Sequence, residues 1–299
     1  MKSNILLETG TGEVEILEFV VNNQFYAINV IKTKEVVLID KITKIPDSDP
    51  AIVGLMVCRD EILSLIDLNY IISGSYNEKS SAKVIICEFN RVKVAFVVDD
   101  VVAIHRIGWD KITKPDDISS NNLVIGNIRF DKKVLQLLDF EKIVTDINPS
   151  TGISEERLVN VAYKDRSKYK IILVDDSALI RKLLKTTLTN AGFENLIMFD
   201  DGKQALDYLL DIESKYGEEF TDRVQVLITD VEMPQLDGHT LTRKIKEHSV
   251  LKKLPVVIFS SLITADLKHK GEAVGANAQL SKPDISSLIE VIDELIEVL

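Results

Sequence analysis

The chain has 299 residues, 45% of them hydrophobic and 28% charged, and a formal net charge of −11. The length suits two domains of about 100–200 residues each, the composition excludes a disordered or fibrous chain, and the acidic balance argues against nucleic acid as the main partner, because its phosphates call for a basic surface. No charge-free apolar stretch approaches the roughly 18 residues of a membrane span, and the opening MKSNILLETGTGEVE lacks the apolar core of a secretory signal. Cys58 and Cys87 stand outside any CxxC spacing and read as small apolar residues in a reducing compartment. The expectation is a cytoplasmic protein without direct membrane insertion.

In chain order, residues 14–143 read as short strands. Residues 14–19 form a half-buried strand, Asn22-Asn23 a tight turn, and Tyr26, Ile28 and Val30 alternate after it. Residues 62–68, the runs VIICEF and VKVAFVV on either side of Asn90-Arg91, residues 103–107 and residues 134–138 continue the pattern. Many short strands with turn signals predict a small barrel or sandwich, with Gly54, Gly108 and Gly126 as bends or bulges. Residues 146–170 are polar and read as a linker, with a short helix over 155–162.

From residue 170 the rhythm changes. IILV (171–174) is wholly apolar, as a parallel strand covered on both faces must be. Leu179, Ile180, Leu183, Leu184 and Leu188 follow at helical spacing. LIMF (196–199), VLIT (226–229), VVIF (256–259) and AQLS (278–281) are further strands. Helices are predicted around Ala205, Leu206, Leu209 and Leu210, around Leu241 and Ile245, over 263–273, and from Ile285 to Ile296. Five strand–helix units give a doubly wound α/β domain whose ligand site lies at the carboxyl ends of its strands.

Those ends carry the chemistry. The first strand ends in Asp175-Asp176, the third in Asp230, the fourth in Ser260 and the fifth in Ser281-Lys282-Pro283. Converging carboxylates repel unless a cation offsets them, and Mg2+ suits an all-oxygen set. Asp230 then supplies a nucleophilic oxygen for phosphoryl transfer, Ser260 and Lys282 face the phosphoryl oxygens, and Pro283 pins the turn. Any one of these aspartates is equally well explained as a helix cap or turn former; the set at consecutive strand ends is specific. In the first domain no such cluster occurs. His105 reads as a surface or structural residue, Trp109 as core or interface, and Arg59 as either a binding anchor or an ordinary solvated side chain.

ILVDDSALIRK (172–182), LITDVEMPQLDG (227–238), VVIFSS (256–261) and LSKP (280–283) resemble the response-regulator receiver family. The resemblance implies Asp230 as phosphoacceptor. It makes Asp175, Asp176, Asp230 and the backbone carbonyl of Glu232 the Mg2+ ligands, Ser260 the switch hydroxyl and Lys282 the lysine that contacts the phosphoryl group. Gln279 departs from the pattern, standing three before the lysine where the family carries a switch aromatic, so the usual swing of a ring cannot carry the signal. FYAINVIKTKEVV (25–37), IPDSDPAIVGLMVCRDEILSLIDL (45–68), VAFVVDDVVAIHRIGW (94–109) and LQLLDFEKI (135–143) resemble the CheW-type coupling domain. There Val57-Cys58-Arg59-Asp60 replaces the family's Asn-Leu-Arg-Gly, and Ser64 replaces a proline.

Together the two halves resemble the CheV-type chemotaxis coupling family. The implied architecture is multi-domain, an N-terminal all-β CheW-like double barrel (1–148), a linker (149–168) and a doubly wound α/β, CheY-like receiver (169–299). The implied function is an adaptor between the cytoplasmic tips of chemoreceptors and the histidine kinase CheA, placed in receptor arrays beside other coupling proteins. Arg59 and Glu35 would contribute to partner binding, and phosphoryl transfer to Asp230 would regulate the adaptor. A phosphate sink that drains the kinase is the alternative. A receiver-controlled enzyme lacks a catalytic cluster in the first domain, and a DNA-binding regulator lacks a basic recognition helix.

Overall fold

The computed structural model describes residues 12–39, 41–76, 82–89, 92–115, 123–130, 133–148, 162–261, 265–282 and 284–298. Pro283, the Asn90-Arg91 turn and nearly all of the helix expected over 155–162 lie outside the described residues. Two compact units form, one of Val14–Gly152 and one containing Ile153–Leu299.

The first unit runs β1 (Glu13–Val21), β2 (Gln24–Asn29), β3 (Thr33–Leu38), β4 (Ile52–Cys58), β5 (Glu61–Asp67), α1 (Leu68–Ser73), β6 (Lys83–Phe89), β7 (Val92–Val98), β8 (Asp100–Gly108), β9 (Ile112–Thr113), β10 (Val124–Phe130), β11 (Lys133–Leu138) and α2 (Phe140–Ile147). The strands make a six-stranded sheet in the order β8-β1-β2-β11-β10-β9 and a five-stranded sheet in the order β3-β6-β7-β5-β4. Asn22 and Asn23 turn β1 into β2 with φ of 50° and 61°, a left-handed pair that matches the twist of the strands. Arg59 and Asp60 do the same between β4 and β5, with φ of 47° and 68°. The predicted irregularities at Gly54 and Gly126 are register shifts in their hairpins. At Gly54 a Cβ would stand 2.5 Å from the Thr43 carbonyl oxygen, so glycine lets residues 42–43 lie against β4 and pair through Thr43 and Leu55. Gly108 instead closes β8 and leads into a 3-10 turn that begins at Trp109.

Alternation along the strands fills each sheet's inner face. Met56, Leu63, Leu65, Val84, Ile86 and Ala95 pack inside the five-stranded sheet, and Ile16, Ala27, Ile112, Ile128 and Leu135, with Trp109, inside the six-stranded one. Phe19 of β1 and Phe96 of β7 both meet Phe140 of α2 edge-on, at centroid distances of 5.9 and 4.6 Å, a favoured aromatic geometry that joins the two sheets through one core. Both cysteines are free thiols.

The second unit runs β12 (Lys170–Val174), α3 (Ala178–Asn190), β13 (Asn195–Phe199), α4 (Gly202–Tyr216), β14 (Val226–Thr229), α5 (Gly238–Glu247), β15 (Val256–Ser260), α6 (Ala265–Ala273), β16 (Ala278–Ser281) and α7 (Ile285–Glu297). Its strands are parallel in the order β13-β12-β14-β15-β16. Two cores cover the two faces, one under α3 and α7 and one under α4 and α5, which is why the central strands are apolar throughout. Leu210, one of the residues that mark α4 in the sequence, is exposed; the buried stripe is Ala205, Leu209 and Ile212. Residues 164–166 belong to this unit. Lys164 and Arg166 donate their backbone N–H groups to Ala191 and Gly192, and the Arg166 guanidinium binds both carboxylate oxygens of Asp293 at 2.7 and 2.6 Å. Among the described residues, no helix is long and apolar enough to cross a membrane.

Candidate functional site

In the order β13-β12-β14-β15-β16 the chain switches sides between β12 and β14, and a crevice opens at their carboxyl ends. Asp175 follows β12 and Asp230 follows β14, tied by Asp230 N–H donating to the Val174 carbonyl at 2.8 Å. Asp175, Asp176 and Asp230 bring one carboxylate oxygen each to within 4.8 Å of one another. Asp175 and Asp230 are buried and Asp176 is half-buried. Lys282, also buried, places Nζ 2.7 Å from Asp175 Oδ2 and 3.1 Å from Asp230 Oδ2. Oδ1 of Asp230 accepts from Val231 N–H at 2.7 Å, which leaves Oδ2 toward the cluster. Burial pushes the Asp175 carboxyl up to about 6, with Lys282 pulling against the rise and the Asp230 charge adding to it.

The helix-cap explanation belongs to other aspartates. Asp201, Asp237 and Asp284 accept from backbone N–H groups of the first turns of α4, α5 and α7. Asp175 takes a turn role in part, since Oδ1 accepts from Ser177 N–H at 2.9 Å, but its other oxygen faces Lys282. Ser260 ends β15 fully buried, and its carbonyl accepts from Lys282 N–H at 2.9 Å. Gln279 lies in β16, paired with Ile258, and its side chain reaches helix α6. Sequence reasoning missed Arg181, whose Nη1 donates to the Asp175 carbonyl at 2.5 Å. An arginine six residues past Asp175, in the first turn of α3, was the available signal.

In the first unit Arg59 Nη2 lies 2.8 Å from Glu35 Oε2, and Cys58 Sγ lies 3.6 Å from the other oxygen of Glu35. Glu35 is on β3 and Cys58 on β4, the two ends of the five-stranded order, so these contacts close the sheet toward a barrel. Val57 and Ile62 pair across the same hairpin and are 64% and 69% exposed. His105 is a structural residue with a partner that the sequence concealed. Its Nε2 lies 2.6 Å from Oε2 of the fully buried Glu18, whose other oxygen is bound by Lys133.

Profiles of two families match the chain, the CheW-like domain over residues 15–148 and the response regulator receiver domain over residues 171–293. Chemotaxis protein CheV3 of Helicobacter pylori is 29% identical over 96% of this chain and 96% of its own, and CheV2 of the same bacterium is 27% identical over 90% and 89%. The chain belongs to the CheV-type family. A solved scaffolding protein, TtCheW of Thermoanaerobacter tengcongensis, aligns with 42% of this CheV-type chain and 84% of its own at 26% identity, with a TM-score of 0.40. As a CheV-type protein the chain is a chemotaxis coupling adaptor that carries a receiver domain, and it acts by accepting a phosphoryl group, not as an enzyme. Neither the sink, the enzyme nor the DNA-binding alternative is favoured by this domain pair.

Proposed function

We propose that the adaptor is regulated by phosphoryl transfer from the phosphohistidine of CheA to Asp230. The observation that carries this reading is the meeting of Asp175, Asp176 and Asp230 with the Lys282 ammonium at the switch point of the sheet. Oδ2 of Asp230 attacks phosphorus as the P–N bond breaks, and the bond's electrons return to the histidine ring, which takes up a proton. Lys282 follows the developing charge on the phosphoryl oxygens, and the Ser260 hydroxyl donates to one of them. The three carboxylates fit a divalent cation in ligand type and spacing. Asp175, Asp176, Asp230 and the Glu232 carbonyl would hold Mg2+, which offsets charge on the transferring group.

The coupling half would occupy 1–148, joined by a linker from residue 149 to a receiver that takes in Lys164 and Arg166 as well as 169–299. It would bind chemoreceptor tips and CheA through the surface around Arg59 and Glu35. The exposed Val57 and Ile62 pair beside Arg59 supports this choice, because apolar side chains around an arginine suit a desolvated contact. The protein would then sit in cytoplasmic receptor arrays, held there by its partners. Transfer of labelled phosphate from autophosphorylated CheA tests the reading. Rapid Mg2+-dependent labelling that Asp230→Asn abolishes is expected; equal labelling of the variant would overturn Asp230 as acceptor.

A further inference from the structure

Helix α6 lies between the two ends of the phosphoryl-contacting apparatus. It begins five residues after Ser260, and the strand after it, β16, leads directly to Lys282. In the described stretch 267–274, Leu267, Gly271 and Val274 are the buried positions, and one of these has no side chain. A glycine inside a helix costs about 1 kcal/mol relative to alanine, so its presence calls for a packing reason.

Gln279 supplies that reason. Its Nε2 donates to the Lys268 carbonyl of α6 at 2.8 Å. A Cβ on Gly271 would stand 2.2 Å from Gln279 Oε1, 2.3 Å from Cδ and 2.6 Å from Nε2, so the amide rests in the space the glycine leaves. The position that departs from the receiver pattern and the glycine inside the helix are therefore one arrangement.

We propose that Gln279 and Gly271 form a polar latch that seats α6 on β16 while Asp230 is unmodified, and that phosphorylation opens it, so that the seating of α6 carries the signal. Gln279 is a positioning residue acting through α6. The inference rests on Asp230 being the acceptor. A phosphoryl group there re-aims the Lys282 ammonium, which otherwise lies 2.7 Å from Asp175 and 3.1 Å from Asp230, and takes the Ser260 hydroxyl as a donor, so that the carboxyl ends of β15 and β16 shift. These two residues are bound to each other by Lys282 N–H and the Ser260 carbonyl, and Gln279 stands three residues before Lys282. A latch of one hydrogen bond and one seated amide is weak enough to yield to that shift and strong enough to matter for a helix with so few buried positions.

The test is hydrogen exchange of the α6 amides in the full chain, with phosphorylation by acetyl phosphate and Mg2+ scored separately by intact mass. Wild type, Gln279→Leu, Gly271→Ala and the double variant are compared. Without the phosphodonor, Gln279→Leu should speed α6 exchange roughly three- to tenfold, the worth of one net hydrogen bond. It should add nothing to Gly271→Ala, in which the new methyl group has already displaced the amide. Phosphorylation should speed α6 exchange in wild type and leave it unchanged in Gln279→Leu. Equal exchange in wild type and Gln279→Leu, or an effect of Gln279→Leu that is the same with and without Gly271→Ala, overturns the latch whether or not Asp230 is labelled. Labelling without change in wild-type α6 overturns its opening and leaves Asp230 as acceptor. An absent mass gain would instead count against the acceptor reading, and with it the opening, while the unphosphorylated comparison still decides whether the latch exists.

Discussion

Lys282 Nζ donates to Oδ2 of Asp175 across 2.7 Å with both side chains buried. The same nitrogen faces Asp230 at 3.1 Å, so this single ammonium partly balances the three clustered carboxylates. It therefore has two opposed effects, competing with a metal for the carboxylates and assisting the phosphoryl group when it arrives. Lys282→Met should tighten Mg2+ binding by about tenfold or more, since removing a positive charge a few ångströms from a divalent cation is worth several kcal/mol at an effective dielectric near 20 and about 1–2 kcal/mol even at the dielectric of water. The same change should slow phosphoryl transfer by about 100-fold through the lost stabilisation of developing charge. Titration calorimetry with Mg2+ and labelled transfer from CheA measure the two effects. A variant that loses both together would show that Lys282 organises the site and does not compete in it.

Gly238 begins α5 directly under the acceptor. A Cβ there would stand 1.9 Å from the Asp230 carbonyl oxygen and 3.1 Å from Thr229 Oγ1. No rotamer relieves a clash with backbone, so Gly238→Ala should cost about 1–3 kcal/mol and remove labelling of Asp230 in protein that still folds. Gly217→Ala is the control. Its φ of 55° and ψ of −128° strain alanine by about 1–3 kcal/mol, but nothing lies within 4 Å of the added carbon, so labelling should match wild type. Loss of labelling in both variants would point to instability and not to the geometry at Asp230.

The receiver was legible because its physics is local. Parallel strands covered on both faces must be continuous apolar runs, and the carboxylates that matter stand one or two residues beyond them, as Asp175, Asp176 and Asp230 do. What escaped the sequence depends on distant pairing. Glu18 lies 87 residues from His105 and 115 from Lys133, so an alternating strand gave no sign that one of its acids was fully buried. Arg166 read as linker because its partner Asp293 is 127 residues away. Gln279 was visible as a departure, but its contact with Gly271 across the strand–helix gap was not. In the first unit, β3, β4, β9 and β10 passed unnoticed, β9 being only two residues long.

The Arg166 and Asp293 pair makes a stability prediction. The guanidinium is buried, stacks 5.1 Å from the Phe193 ring centroid and is held by both oxygens of Asp293. Asp293→Ala leaves that charge without its carboxylate and should lower the stability of the receiver unit by about 1.5–3 kcal/mol, the range for hydrogen bonds to charged groups. Urea unfolding followed by far-UV circular dichroism reads this, because the long helices are in that unit. A change below about 0.5 kcal/mol would place the pair with ordinary surface ion pairs.

Glu18 makes the pH prediction. Burial alone would raise its carboxyl, but hydrogen bonds from Lys133 and His105, and their charges, overcome this and hold it below its ordinary value of 4.5. A carboxylate lowered on folding contributes stability that is present above the unfolded value and is lost as pH falls through the folded one. Wild type should therefore weaken on acidification below about pH 4.5, partly through this group. Glu18→Gln cannot lose what it lacks. It should be less stable than wild type at neutral pH by about 1.5–3 kcal/mol, and the gap should close as the solution is acidified. Trp109 is the chain's one tryptophan and is buried in the same unit, so its fluorescence follows this unit alone during urea unfolding. Parallel stability profiles for the two proteins from neutral pH to about pH 3, a range that spans the ordinary carboxylate value, would mean that the Glu18 charge contributes nothing to folding and that Lys133 and His105 hold the side chain by packing.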